Sequence, residues 1–121
     1  PNIHIKDMSR IYIKTLESEK QIVNGQIFNA GYDNMSVNQI GNAVKNIIGN
    51  DVEIERQETN DNRSYHISSE KIKKILNFEP KYSVEDAIVD LKKAFEENKL
   101  PNSLNDSIYF NIKKMQEIDL K

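Results

Sequence analysis

Cysteine and tryptophan are both absent from this chain, and arginine occurs only three times, at positions 10, 56 and 63. Without thiols there is neither a disulfide framework nor a thiolate metal site. The two histidines, His4 and His66, stand far apart and lack ligand spacing such as HxxxH, so no metal site is expected. Glycine is scarce as well. Its four positions, 25, 31, 41 and 49, cannot supply the GxGxxG turn that seats a dinucleotide pyrophosphate, and there is no P-loop and no GxSxG elbow. No apolar run approaches the roughly 20 residues that span a bilayer, and no secretion signal is present. The expected setting is therefore soluble and cytoplasmic, with no membrane partner. Charged residues make up 30% of the chain, yet the net charge is only −2. The basic excess that nucleic-acid binding requires is missing.

What is there suits one domain. The chain has 121 residues, too few for two full-sized domains. Leu, Ile, Val and Phe total 33, above the level of disordered chains, although the apolar share of 37% is low for a self-sufficient globule.

Along the chain, apolar periodicity and turn chemistry divide the sequence into short elements. Residues 3–5, IHI, read as the end of a strand. Asp7 then suits a helix N-cap, with Met8, Ile11, Tyr12, Thr15 and Leu16 on one face of a helix reaching about residue 19. Asn24-Gly25 marks a turn, and QIFNAG, 26–31, reads as a short buried strand. Ser36 with Gln39 forms a capping box before a stripe of Val37, Ile40, Val44, Ile47 and Ile48, closed by Gly49 in the left-handed conformation. VEIERQ, 52–57, alternates apolar with charged and predicts a half-exposed strand. Ser68 or Ser69 caps a helix with Ile72, Ile75 and Leu76 inward. Asn77 suits its left-handed end, and Pro80 bars continuation. Ser83 with Asp86 opens a helix carrying Val84, Ala87, Ile88, Leu91, Ala94 and Phe95, ended by Pro101. A last short helix is expected around 111–118.

Three features bear on chemistry. Arg63 precedes a capped helix, and its guanidinium offers paired donors that fit phosphate oxygens. Tyr65, two residues on, could stack or donate there, whereas an ordinary salt bridge to Glu53 or Glu55 would leave Arg63 with no binding role. Asn34, in the loop after Gly31, carries an amide able to hydrogen-bond a ribose or base, or it is simply a loop asparagine. Tyr109 and Lys113 form a YxxxK spacing, which on a helix would lower the phenol pKa toward a catalytic base. They lie in a weakly periodic tail with no cofactor-binding unit before them.

These pieces, in order, resemble the C-terminal part of the extended short-chain dehydrogenase/reductase family, the NAD-dependent nucleotide-sugar epimerases and dehydratases. IHIKDMSRIYIKTLE is similar to that family's hydrophobic-His-Val-x-Asp segment and following helix. GQIFNAGYDNMSVNQIGNAV is similar to its Gly-x-x-Phe-Asn-hydrophobic-Gly strand, loop and helix. DNRSYHISSEKIKKILNFEPKYSVEDAIVDLKKAF is similar to its Asp-x-Arg … Leu-Gly-Phe-x-Pro segment and closing helix, with Asn77 where glycine is usual. The resemblance implies an α/β fold class: an α+β-like small substrate domain, with short strands alternating with amphipathic helices, forming the C-terminal lobe of a Rossmann-type enzyme. Residues 1–100 would be the substrate-binding domain and 101–121 a tail. It further implies that Arg63 contacts the diphosphate of a nucleotide diphosphate sugar, that Tyr65 and His66 follow it toward the same cleft, and that Asn34 approaches the nucleotide. NAD and the catalytic Tyr-x-x-x-Lys would belong to a cofactor domain upstream of Pro1, leaving this piece, roughly the last third of the enzyme, inactive alone. A nonenzymatic module that self-associates through uncovered apolar faces is the alternative.

Overall fold

The structure is a computed structural model that describes residues 1–49, 51–58 and 64–119. Six α-helices follow one another: α1 (Ile5–Glu17), α2 (Lys20–Val23), α3 (Val37–Ile48), α4 (Glu70–Leu76), α5 (Val84–Glu96) and α6 (Asn111–Glu117), with a 3₁₀ turn at Ser107–Tyr109 before the last. Helix accounts for 52% of the structure and strand for 2%, with no sheet among the described residues. The expected α/β arrangement is therefore corrected to a helical one.

The reason lies in where each element finds its hydrogen bonds. Helices satisfy their backbone locally, whereas a strand needs a distant partner. Segments 26–31 and 52–57 have strand-like side-chain patterns, and no ladder forms along either. The only bridge among the described residues is antiparallel, between Asn2 and Asp33. Its two bonds are Asn2 N–H to Asp33 O at 2.9 Å and Tyr32 N–H to Asn2 O at 2.6 Å. Alternation survives without pairing: Phe28 and Ala30 turn toward the core while Ile27 and Asn29 stay exposed.

The chain divides into two compact units, Pro1–Asp90 and Leu91–Lys121, the division falling within α5. In the first, Ile72, Leu76 and Phe78 form the buried core, with Ile11, Val23, Phe28 and Ala30 packed against it. Ile72 and Leu76 face inward from α4, while Ile75, expected beside them, is 42% exposed. Asn77 ends α4 with φ 48 and ψ 44, the left-handed conformation asparagine tolerates, and the reversal delivers Phe78 under the helix it follows.

The start of α1 differs from expectation. His4, not Asp7, is the N-cap, its Nδ1 accepting from the Lys6 N–H at 3.1 Å. Asp7 is fully buried in the first turn and leaves its own helix end to accept from the Lys81 and Tyr82 N–H groups at 2.8 and 2.9 Å. Arg10 completes the cluster, donating to Asp7 Oδ1. Ile11 packs inward as expected. Tyr12 and Leu16 do not; with Ile5 they form an outward apolar face, Leu16 being 85% exposed.

In the second unit, Tyr109 closes the 3₁₀ turn and Lys113 belongs to α6. Phe110, in an extended conformation, separates them. The Lys113 ammonium lies 4.3 Å from the Phe110 ring centroid. The YxxxK spacing therefore does not fall on one helix.

Candidate functional site

The site is built where the loop after Gly31 meets the segment that leads into α4. Two side chains make the junction. The Asn34 amide pairs with the backbone of Ile67, Nδ2 donating to the Ile67 carbonyl at 2.9 Å and Oδ1 accepting from the Ile67 N–H at 3.1 Å. Ser68 or Ser69 was expected to cap α4; Ser68 Oγ accepts from the Glu70 N–H at 3.4 Å, while Ser69 makes no cap bond. Its hydroxyl accepts from the Gly31 N–H at 2.9 Å and donates to the Gly31 carbonyl at 3.2 Å. Both side chains thus do the work of a strand partner. The approach is close at Gly31: a Cβ there would stand 2.9 Å from Ile67 Cδ1, the tip of a side chain that would have to shift, and 3.5 Å from the Asn2 carbonyl.

Across this junction opens a cleft of ≈ 480 Å³, within the range of small-molecule sites. One wall is the N-terminal end of α3 with the residues just before it: Met35, Ser36, Val37 and Gln39. Ser64, Tyr65 and His66 line the cleft as well, with Asn34 and Pro1. The Ser36–Gln39 capping box fixes the first wall. Gln39 N–H donates to Ser36 Oγ at 3.3 Å, and Ser36 N–H donates to Gln39 Oε1 at 2.7 Å. The positive end of the α3 dipole lies at this wall.

Of the four site residues named from the sequence, the structure brings Asn34, Tyr65 and His66 to one cleft. Arg63 lies outside the described residues. Asn34 lines the cleft with its amide committed to Ile67. Tyr65 and His66 are exposed, Tyr65 by 68%. Val37 and Gln39 were read from sequence only as helix residues. Their position immediately after the Asn34 loop was the available signal that they would also form a wall.

Asn34→Ala removes the partners of one N–H and one carbonyl at once. It should speed hydrogen exchange at the Ile67 amide by about 5-fold, since the bond from that N–H is worth roughly 1 kcal/mol. Unchanged exchange at Ile67 would contradict the clasp.

Among the described residues no His, Asp or Glu cluster could hold a metal ion, and no helix is long and apolar enough to cross a membrane. The glycines also do not fit NAD. Gly31 closes against Ile67, a Cβ at Gly41 would stand 4.0 Å from Ile54 Cδ1, Gly25 stands in an open turn, and Gly49 ends α3 with φ 143 and ψ 168. That last conformation is open to glycine but is not the left-handed helical one expected. None of the four forms a phosphate cradle. No protein-family model, no curated protein and no solved structure matches the chain.

Proposed function

We propose that this chain is the C-terminal substrate-binding portion of an NAD-dependent nucleotide-sugar epimerase or dehydratase, and that its cleft receives the nucleotide end of the sugar substrate. One observation carries the reading. The two segments that bear the resemblance, the loop after Gly31 and the run around Tyr65 and His66, form walls of one cleft, clasped by the Asn34 amide and the Ser69 hydroxyl. They lie more than 30 residues apart in the chain, and nothing local requires them to meet.

In this reading the chain holds and orients, contributing to catalysis by fixing the ligand before chemistry occurs. Arg63 would neutralise the diphosphate, as a bidentate donor to phosphate oxygens does. NAD would supply hydride chemistry from a cofactor-binding partner domain. In this reading NAD and the proton-transferring pair belong to that other domain, and the chain by itself would be inactive. The outward face of α1, Ile5, Tyr12 and Leu16, is the surface such a domain would cover.

Calorimetric titration with UDP, GDP, dTDP and their sugars tests this. At least one should bind, and Arg63→Ala should weaken it by about 2 kcal/mol, the low end for truncating one partner of a charge pair. A change of only a few tenths would remove Arg63 from the site.

The same α1 face favours a second reading, a nonenzymatic module that self-associates. Light scattering separates the two. A monomer that binds nucleotide supports the enzyme fragment; an oligomer blind to nucleotides supports the module.

A further inference from the structure

We propose that His4 is a proton-operated latch at the start of α1. Neutral, the imidazole holds the strap of residues 1–4 against the helix; protonated, it lets the strap go. The ring is buried, with His4 only 5% exposed, and one hydrogen bond fixes its state. Nδ1 accepts from the Lys6 N–H at 3.1 Å. Lys6 is the second residue of α1, so its N–H has no carbonyl within the helix to reach. A histidine ring accepts at one nitrogen only while it is neutral; in the imidazolium both nitrogens are donors. The incoming proton therefore lands on Nδ1, and two donors then face each other where one bond had been.

The groups around the ring come from three elements. From α5, Asp90 Oδ2 lies 3.3 Å from Nε2 but is too poorly aligned for a hydrogen bond. The same oxygen is already bonded by the Lys6 ammonium of α1 at 2.6 Å. From the segment before α5, the Tyr82 ring centroid lies 5.0 Å from that of His4, and the Lys6 ammonium stands 5.2 Å from the same Tyr82 ring. Tyr32 joins His4, Asn2 and Tyr82 in lining a small cavity. The strap that His4 ends has contacts of its own. The Asn2 N–H donates to the Asp33 carbonyl, and the Asn2 carbonyl accepts from the Tyr32 N–H. Pro1 lines the cleft beside α3. Only Ile3 separates the Asn2 bridge from the latch. The His4 carbonyl accepts from the Met8 N–H at 3.0 Å, a bond that protonation of the ring does not touch, so α1 keeps its first turn when the ring lets go.

The test is an NMR pH titration of the chain, reading both imidazoles and amide protection against hydrogen exchange. The chain has two histidines, and exposed His66 is the internal control. As pH falls through the His4 inflection, protection at the Lys6 amide should drop about 5-fold, the loss of one helix cap. The Tyr32 amide, bonded to Asn2, should drop at the same inflection. The Lys6 ammonium holds the Asp90 carboxyl below its ordinary range, so its step falls apart from that of an imidazole. His4→Asn supplies a cap that does not titrate, and in it both amides should stay level across that pH range. The latch is wrong if the wild-type amides stay level, if they follow His66, or if they step in His4→Asn as they do in the wild type. If Lys6 responds and Tyr32 does not, His4 is a cap alone and the strap is not released. Should His4→Asn fail to fold, the wild-type titration decides by itself, because each amide either follows the His4 inflection or does not.

Discussion

Asp7→Ala should cost about 3–5 kcal/mol of stability, the range for breaking a buried ionic cluster by removing one member. Three donors converge on this carboxylate. The Lys81 and Tyr82 N–H groups reach Oδ2 at 2.8 and 2.9 Å, and Arg10 reaches Oδ1. Arg10 also lies 5.1 Å from the Phe78 ring centroid and 3.4 Å from the Glu79 carbonyl. Losing the carboxylate therefore strands two backbone donors and a guanidinium beside the core. Total stabilities of small domains are about 5–15 kcal/mol, so the variant should lie near the edge of folding. Urea unfolding followed by circular dichroism reads the effect. A loss under about 1 kcal/mol would mean that water replaces the carboxylate at little cost.

The same cluster fixes an acid limb. Burial pushes the Asp7 carboxyl pKa up, but the backbone bonds from Tyr82 and Lys81 and the Arg10 guanidinium outweigh it, and the net shift is downward. The unfolded group titrates near 3.9. Because the folded pKa lies lower, the contribution is fully present above about pH 4 and is lost as pH falls through the folded value. Asp7→Asn, which cannot titrate, should flatten the wild-type loss of stability in that window. An identical acid limb in both proteins would assign acid sensitivity to other carboxyls.

The second large effect belongs to the core. Ile72 is 1% exposed and sits among Leu76 and Phe78. Ile72→Ala should cost about 2–5 kcal/mol through lost transfer energy and the cavity left behind. Ile75→Ala, one turn along the same α4 and 42% exposed, should cost under about 1 kcal/mol because it already faces water. The contrast is sharper than either value alone. Equal losses at the two positions would mean that α4 is rotated from the orientation described.

Local codes were the legible part of this sequence. Ser36–Gln39 and Ser83–Asp86 each announce a helix start through bonds within four residues, and both form as read. Asn77 likewise signals its own reversal. Asp7 misled because an acid at a helix start is ordinarily a cap, and the backbone N–H groups it accepts from lie 74 and 75 residues away. Ser69 misled in the same way, with a partner 38 residues distant. The predicted strands failed for a related reason: alternation tells which way side chains point, but only a neighbouring chain makes a sheet. At the candidate site, proximity in sequence placed Tyr65 beside His66. That Val37 and Gln39 line the same cleft was signalled only by their place after the Asn34 loop.

The Asn34 clasp separates what shapes the cleft from what would touch its contents. The amide grips main-chain atoms of Ile67 and takes no interest in the side chains at 65 and 66. Those two positions are therefore free to change chemistry while the architecture around them stays fixed. A library confined to residues 65 and 66 would ask how many different small molecules this one frame can be taught to accept.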